Sequence, residues 1–299
     1  MSSIERRRHS GSLHCPARLV AAAEREGRTG WLATLADTLD AAMARWQLSV
    51  GPPFEPGGQA AWVAPARDAA GTDLVLKLGW RHPEAEDEAE GLRHWDGQGT
   101  VRLYAASRFG DTDALVQERC RPGSPLALRP ELEQDEVIAG LLSRLWAKPA
   151  PADLFRPLQV MCDEWAEGFE RRDDSARSGL DPGLARAGVE LFRTLPGTAE
   201  REVLLATDLH AGNVLAAERE PWLAIDPKPY VGDPTYDALQ HLLNCTERLR
   251  RDPLGLVRRM AGLLGLDADR LSRWLFARCV IESPDWSGLA GVAVQLAPR

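Results

Sequence analysis

The stretch of residues 204–226 constrains the fold most, because three short apolar runs alternate in it with polar loops. The loop after the first run carries Asp208 and Asn213, and the third run leads directly into Asp226. Turn-forming residues 218–221 separate the second run from the third. This pattern predicts a strand, a polar loop and a hairpin that brings Asn213 and Asp226 together at the mouth of a sheet.

These three polar side chains have the chemistry that phosphoryl transfer needs. Asp208 lies five positions before Asn213, and an acidic residue at the next strand end completes the catalytic-loop pattern of the kinase fold. A carboxylate can take the proton of an attacking hydroxyl, and carboxylate and amide oxygens are ligands that Mg²⁺ prefers. We predict that Asp208 is the catalytic base and that Asn213 and Asp226 hold Mg²⁺. The alternative is that all three are ordinary turn residues.

A second candidate pair lies upstream. Lys77 stands in the otherwise apolar predicted strand 73–78, where a charge needs a reason. Glu88 follows eleven residues later in a predicted helix over 84–92. A lysine on a strand that pairs with a glutamate on the next helix is a further kinase signature. The alternatives are an edge-strand lysine in solvent and a solvated acidic helix face, in which three neighbouring glutamates compete with Glu88.

Strands and helices are distributed unevenly along the chain. Leading helices and several short strands with one helix between them are predicted up to residue 118. The run Arg121–Pro125 interrupts the pattern, and the sequence after it is mostly helical apart from one short β region. We therefore expect an α+β protein with two lobes: residues 1–118 form a small lobe with an antiparallel sheet, and residues 119–299 form a helical lobe that carries the catalytic loop.

Composition excludes several classes of protein. The 299 residues include 36 Lys plus Arg and 44 Asp plus Glu, a net charge of −8, which argues against binding nucleic acid through its phosphates. No run approaches the roughly 18 apolar residues of a membrane span. The five cysteines have no metal or redox spacing, so we expect reduced thiols and a cytoplasmic protein. They are Cys15, Cys120, Cys162, Cys245 and Cys279.

The run Thr207–Asp226, its continuation Pro227–Pro229 and the run Gly232–Asp237 resemble the aminoglycoside phosphotransferase group. Within it, the sequence is most similar to the aminoglycoside/hydroxyurea antibiotic resistance kinases, which include streptomycin 6-kinases. Weaker similarity lies at Leu76–Leu78 and Glu88–Trp95. The resemblance implies a bilobal protein-kinase-like fold, ATP between the lobes, and transfer of its γ-phosphate to a hydroxyl of a small-molecule antibiotic, foremost an aminoglycoside of streptomycin type.

The same resemblance assigns nucleotide-binding roles. Lys77 is expected to bind α- and β-phosphate oxygens, and Glu88 to position Lys77. The segment after the last strand of the small lobe corresponds to the hinge, whose backbone groups bond the adenine edge. Its residues are Gln117, Glu118 and Arg119.

The chain departs from the group at two places. Members of the wider group usually carry His two residues before the catalytic Asp, where this chain has Ala206 followed by Thr207. The phosphate loop, which is rich in glycine in protein kinases, is also poor in glycine here, since only Gly57 and Gly58 mark the first hairpin.

The acceptor site is the least defined part. Cationic aminoglycosides need carboxylates, so a polar and aromatic break near the C-terminus is a candidate wall, with Glu282, Asp285 and Trp286. Residues 163–165 are a second candidate. Surface loop and core tryptophan are the alternatives for both. The oligomeric state and the preference for ATP over GTP are not specified by the sequence.

The sequence also allows three alternative functions. The acceptor is alternatively hydroxyurea or another hydroxyl-bearing antibiotic or metabolite. The departure at residues 206 and 207 also allows a catalytically silent nucleotide-binding module. A metallohydrolase is a third alternative, although its residues lack a helix-borne ligand pair. They are Asp208, His210, Asp226 and His241.

Overall fold

Two units of structure are formed by the residues that the computed structural model describes, which are 13–151, 153–172, 179–286 and 288–298. The first unit consists of residues 1–83 and 102–119, and the second of residues 84–101 and 120–299. The predicted division of the lobes at residue 118 differs from this grouping in one respect, because residues 84–101 pack with the second unit. The placement of the lobes themselves stays a prediction.

The first unit is a five-stranded antiparallel sheet with two helices. Its sheet order is β1-β2-β3-β5-β4. Strand β3 has strictly alternating burial, because every second side chain faces the core that the helices cover. The elements are α1 (Ala17–Arg25), α2 (Thr29–Trp46), β1 (Ser49–Val50), β2 (Ala61–Arg67), β3 (Asp73–Trp80), β4 (Leu103–Phe109) and β5 (Thr112–Glu118).

The second unit is mostly helical and contains two short two-stranded sheets, β6 with β9 and β7 with β8. Its helices surround one large apolar core. The elements are α3 (Glu88–Trp95), α4 (Glu131–Trp146), α5 (Leu158–Arg171), α6 (Pro182–Thr194), β6 (Val203–Leu205), β7 (Val214–Ala216), β8 (Trp222–Ala224), β9 (Tyr230–Gly232), α7 (Pro234–Asp237), α8 (Leu239–Asn244), α9 (Thr246–Arg251), α10 (Pro253–Leu264), α11 (Ala268–Glu282) and α12 (Leu289–Leu296).

The predicted helix over residues 84–92 needs a correction. The structure has a 3₁₀ turn at Pro83–Ala85, and α3 begins at Glu88 and ends before Asp96. Asp96 adopts a left-handed conformation with φ 49°, which closes the helix with a backbone hydrogen bond to Leu92. Acidic side chains near a helix start do not mark its first residue, so the start was placed four residues too early.

Among the described residues, no helix combines the length and the apolar character that crossing a membrane requires.

Helices α6 and α11 approach closely because α6 has a glycine at the contact. A Cβ atom on Gly188 would lie 2.5 to 2.7 Å from the side-chain atoms of Val280, and the Cβ of Val280 is among them. The contact cannot relax by turning a flexible chain end, because the clash involves a branched core residue of α11. The glycine therefore sets the distance between the two helices.

We expect Gly188→Ala to lower the free energy of unfolding by about 1–3 kcal/mol, because the added methyl overpacks this contact. Gly140 of α4 is the matched control, since a Cβ there meets nothing within 4 Å. Gly140→Ala should leave stability unchanged or raise it by about 0.4–1 kcal/mol. Urea unfolding of both variants measures the difference, and equal stability of the two would contradict the assignment.

Candidate active site

The 206–213 loop follows β6 and places Asp208 beside Asn213. The Asp208 backbone N–H donates to the Ala206 carbonyl at 2.7 Å, which turns the chain tightly. The Asn213 side-chain amide donates to the backbone carbonyl of Asp208 at 3.0 Å and to its Oδ2 at 3.3 Å. Because the amide nitrogen faces Asp208, the amide oxygen of Asn213 lies on the opposite side, where it is available to a cation.

Strands β7 and β8 form the predicted hairpin. Val214 is paired with Ala224, and the Ile225 N–H donates to the Asn213 carbonyl at 2.9 Å. Asp226 follows directly and adopts a left-handed conformation with φ 54°. The hairpin therefore brings Asn213 and the residue before Asp226 to the same end of the strand pair, as the sequence pattern predicted. Two oxygen-bearing side chains at one strand end fit a hard cation such as Mg²⁺.

Lys228 contacts the carboxylate of Asp208. Its ammonium Nζ donates to Asp208 Oδ2 at 2.9 Å and lies 3.8 Å from Glu84 Oε2. Burial disfavours the charged amine, but the carboxylates of Asp208 and Asp226 outweigh it and raise the pKa of Lys228. No role is assigned to this lysine in the sequence analysis. Its position two residues after Asp226 was the available signal.

The buried carboxylate of Asp237 anchors the 206–213 loop from below. It accepts hydrogen bonds from the backbone N–H groups of Ala206, at 3.0 and 3.1 Å, and of Thr207, at 2.7 Å. The indole N–H of Trp146 donates to it at 2.9 Å. Thr207 is held in a left-handed conformation with φ 47°, and its hydroxyl donates to the Lys228 carbonyl at 2.6 Å. Asp237 thus fixes a backbone conformation that a β-branched residue rarely adopts.

His210 turns onto its own loop. Its Nδ1 accepts a hydrogen bond from the Gly212 N–H at 3.1 Å, so the ring caps the 3₁₀ turn Ala211–Asn213. Burial lowers the pKa of His210, although Asp208 nearby favours its protonated form. The imidazole therefore has a structural contact in this loop.

His241 is engaged elsewhere. Its Nε2 lies 2.9 Å from Oδ1 of the fully buried Asp135. Arg248 donates to both oxygens of this carboxylate at 2.9 and 2.7 Å, and Arg259 donates to Oδ2 at 2.6 Å. His241, Asp135 and Cys245 are close enough to hold a metal ion. However, two guanidinium groups on the Asp135 carboxylate repel a further cation. His241, the fourth residue of the metallohydrolase alternative, is therefore bonded to Asp135 and does not serve as a metal ligand.

The residues of the upstream pair, Lys77 and Glu88, lie in different units, the lysine half-buried on a strand and the glutamate buried on a helix. Lys77 lies on β3, an interior strand, opposite Val63 of β2 and Leu115 of β5. The edge-strand alternative for Lys77 is therefore wrong. Glu88 is the first residue of α3 and is only 4% exposed, so it is not part of a solvated acidic face. Their roles toward a nucleotide stay predictions.

The predicted hinge residues lie at the end of β5. Gln117 is buried, and Glu118 exchanges hydrogen bonds with Arg102, whose N–H donates to Glu118 Oε2 at 3.0 Å. The Glu118 N–H donates to the Arg102 carbonyl at 2.8 Å. The Arg119 guanidinium lies 6.0 Å from the ring centre of Phe54. Their adenine contacts stay a prediction.

The candidate acceptor residues lie at and beyond the end of α11. Glu282 accepts a hydrogen bond from the buried Arg278 at 2.9 Å, and the same guanidinium lies 4.2 Å from the ring centre of Trp165. The structure therefore joins the two candidate walls through Arg278. Asp285 and Trp286 donate their backbone N–H groups to the Glu282 carbonyl, and Trp286 is 42% exposed. Contact with an acceptor stays a prediction for all three residues.

Two solved structures with the same fold are kinases of small molecules. Aminoglycoside phosphotransferase APH(4)-Ia, crystallised with ADP and hygromycin B, has a TM-score of 0.58 and 14% identity over 86% of this chain and 96% of that chain. Amicoumacin kinase has a TM-score of 0.54 and 12% identity over 87% of this chain and 91% of that one. The α+β, bilobal, protein-kinase-like fold is confirmed. At these identities, the likeness establishes the fold of the chain.

The sequence relatives show the family to which the chain belongs. A streptomycin 6-kinase of Streptomyces glaucescens is 35% identical over 266 residues, 86% of this chain and 84% of its own. A hydroxyurea phosphotransferase of Kitasatospora aureofaciens is 37% identical over 286 residues, 92% of this chain and 80% of its own. The family model for aminoglycoside/hydroxyurea antibiotic resistance kinases matches residues 45–289. The chain belongs to this family, as the sequence resemblance predicted.

Asp237 yields a prediction about pH. Burial raises the pKa of this carboxyl from its usual 3.8 to about 6, because desolvation outweighs the hydrogen bonds from Trp146, Ala206 and Thr207. The folded protein therefore keeps a proton between these values that the unfolded chain releases. The proton contributes fully to the free energy of unfolding below pH 3.8, the usual pKa of the group. This contribution is lost as the pH rises through about 6.

Asp237→Asn cannot titrate, so subtraction of its stability from that of the wild type isolates this effect. We expect the difference in unfolding free energy, wild type minus variant, to fall as the pH is raised from about 4 to about 7. Denaturant titrations across this range measure it. A difference that stays constant or rises with pH would show that the three donors dominate over burial.

Proposed function

We propose that the protein is an ATP-dependent O-phosphotransferase that phosphorylates a hydroxyl of a small-molecule antibiotic, foremost an aminoglycoside of streptomycin type. The observation that carries the proposal is the carboxylate of Asp208, held by Asn213 and Lys228 at the end of a strand pair. Relatives named as streptomycin 6-kinases at 35% identity support the acceptor class.

Asp208 acts as the base. Within the described part of the chain, the Asn213 amide and the Lys228 ammonium both donate to Oδ2 of Asp208, so Oδ1 is the oxygen that receives the proton of the acceptor hydroxyl. As the O–H bond breaks, the hydroxyl oxygen forms a bond to the γ-phosphorus of ATP, and the bond from that phosphorus to the bridging oxygen breaks. ADP leaves with the electron pair, and the proton passes from Asp208 to solvent. The carboxylate mainly orients the nucleophile, since phosphoryl transfer has a loose transition state.

The residues fit a magnesium ion. Asn213 offers an amide oxygen and Asp226 a carboxylate at the same hairpin end, which is the oxygen set that Mg²⁺ takes. When bound, Mg²⁺ neutralises charge on the phosphate oxygens. The protein contributes by holding both side chains in place through the β7–β8 register.

Nucleotide binding follows the family pattern in this proposal. Lys77 binds the α- and β-phosphate oxygens, Glu88 positions Lys77, and the backbone at the end of β5 binds the adenine edge. The residues of that segment are Gln117, Glu118 and Arg119. The burial of Glu88 supports its part, since a buried carboxylate needs a charged or polar partner.

A second acceptor has support of its own. The relative named as a hydroxyurea phosphotransferase is 37% identical over 92% of this chain, so hydroxyurea is the alternative substrate. A direct comparison decides between them. The purified protein is incubated with Mg-ATP and either streptomycin or hydroxyurea, and mass spectrometry detects the addition of a phosphoryl group. Phosphorylation of neither compound would overturn the acceptor assignment.

We expect Asp208→Asn to lower kcat for the better substrate by about 10²–10⁴-fold, because the amide cannot accept the hydroxyl proton. Asp37→Asn is the matched control, since Asp37 is an exposed residue of α2. Coupled measurement of ADP release gives both rates. Near-normal turnover by Asp208→Asn, with the protein folded, would contradict the role of Asp208.

A further inference from the structure

We propose that Lys228 is a positioning residue, which holds the carboxylate of Asp208 so that one defined oxygen faces the acceptor hydroxyl. This inference rests on the proposed function. It starts from the 2.9 Å hydrogen bond between the ammonium of Lys228 and Oδ2 of Asp208. The bond fixes the rotation of the carboxylate, which otherwise turns freely about its last side-chain torsion.

The backbone of Lys228 is joined to the same loop as Asp208. Its N–H donates to the Ala206 carbonyl at 2.8 Å, and its carbonyl accepts the Thr207 hydroxyl at 2.6 Å. These bonds tie Lys228 to the two residues that precede Asp208 in sequence. The ammonium and the carboxylate are therefore placed by one shared backbone frame.

The segment around Lys228 is stiff. Pro227 and Pro229 flank it and are both buried, and each proline restricts its own φ and the residue before it. Helix α3 packs on this segment at a glycine, since a Cβ on Gly91 would lie 2.3 Å from Pro229 Cγ. A rigid segment loses little conformational entropy when its lysine binds the carboxylate.

His210 does not supply the cation next to Asp208. Although it lies two residues after the carboxylate, its Nδ1 accepts a hydrogen bond from the Gly212 N–H at 3.1 Å. Lys228 supplies a cation there, because its ammonium donates to Asp208 Oδ2 at 2.9 Å. The ammonium also offsets the negative charge that Asp208 would otherwise present to an incoming phosphate.

The composition supports a specific need for lysine. The 36 basic residues include only three lysines, Lys77, Lys148 and Lys228, and all others are arginines. Ammonium and guanidinium groups differ in size and geometry, and a compact point charge suits a confined contact with one carboxylate oxygen. Lysine at position 228 is an exception in a chain whose basic residues are otherwise almost all arginines.

The test combines single variants with a double-mutant cycle. We expect Lys228→Met to lower kcat by about 10–100-fold while KM for ATP and for the acceptor changes by less than about threefold. Lys228→Arg should recover part of kcat, because it restores the charge with a poorer fit. Lys148→Met is the matched control, since Lys148 contacts the His94 carbonyl away from Asp208, and it should keep wild-type kinetics.

The double variant Lys228→Met/Asp208→Asn separates positioning from independent action. If Lys228 acts through Asp208, the double variant is no slower than Asp208→Asn alone. Multiplied losses, a change in KM only, or wild-type kcat in Lys228→Met would overturn the inference. Circular dichroism checks folding, and Lys228→Gln replaces Lys228→Met if the latter does not fold. Activity retained by Asp208→Asn would instead overturn the proposed function.

Discussion

The 206–213 loop depends on one buried carboxylate, that of Asp237. Three donors meet it, namely the N–H groups of Ala206 and Thr207 and the indole of Trp146. Without this acceptor, the buried backbone N–H groups of the loop would lose their hydrogen-bond partner. The left-handed conformation of Thr207 would then lose the bond from its own N–H that stabilises it. The bonds from the loop to Asp237 come from the backbone N–H groups of Ala206 and Thr207, so they do not depend on which side chain is present at residue 206. The departure from His at this position therefore leaves the anchoring of the loop intact.

Three aspartates of the second unit show how surroundings decide what a carboxylate does. Burial opposes ionisation of Asp135, but hydrogen bonds from His241 and two arginines outweigh it and hold the pKa of Asp135 below its usual range. The three groups that donate to Asp237 are neutral, and burial outweighs their hydrogen bonds and raises its pKa. Asp208 is partly exposed and bonded by one ammonium and one amide, both on Oδ2. It alone of the three combines a defined orientation with an oxygen left for a substrate.

The local pattern predicted the parts of the structure that are set by neighbours in sequence. The strand–loop–hairpin around Asn213 was found because alternation of apolar and polar runs and the turn residues act locally. The predicted start of α3 is wrong, since four glutamates at alternate positions carry no signal for which one begins the helix. The burial of Glu88 and the contact of Lys228 with Asp208 depend on packing between distant segments. No periodicity in a single sequence contains that information.

The segment 226–229 shows how the fold turns a short sequence into a defined charge arrangement. Asp226 takes a left-handed conformation, two buried prolines follow it on alternate positions, and α3 contacts the second proline at Gly91. Each feature removes conformations from the segment, and together they leave the ammonium of Lys228 aimed at Oδ2 of Asp208. A flexible lysine would have to lose side-chain entropy at every encounter with a carboxylate. In this protein, most of the side-chain entropy of Lys228 is lost during folding. The contact with Asp208 is therefore already formed when a substrate binds.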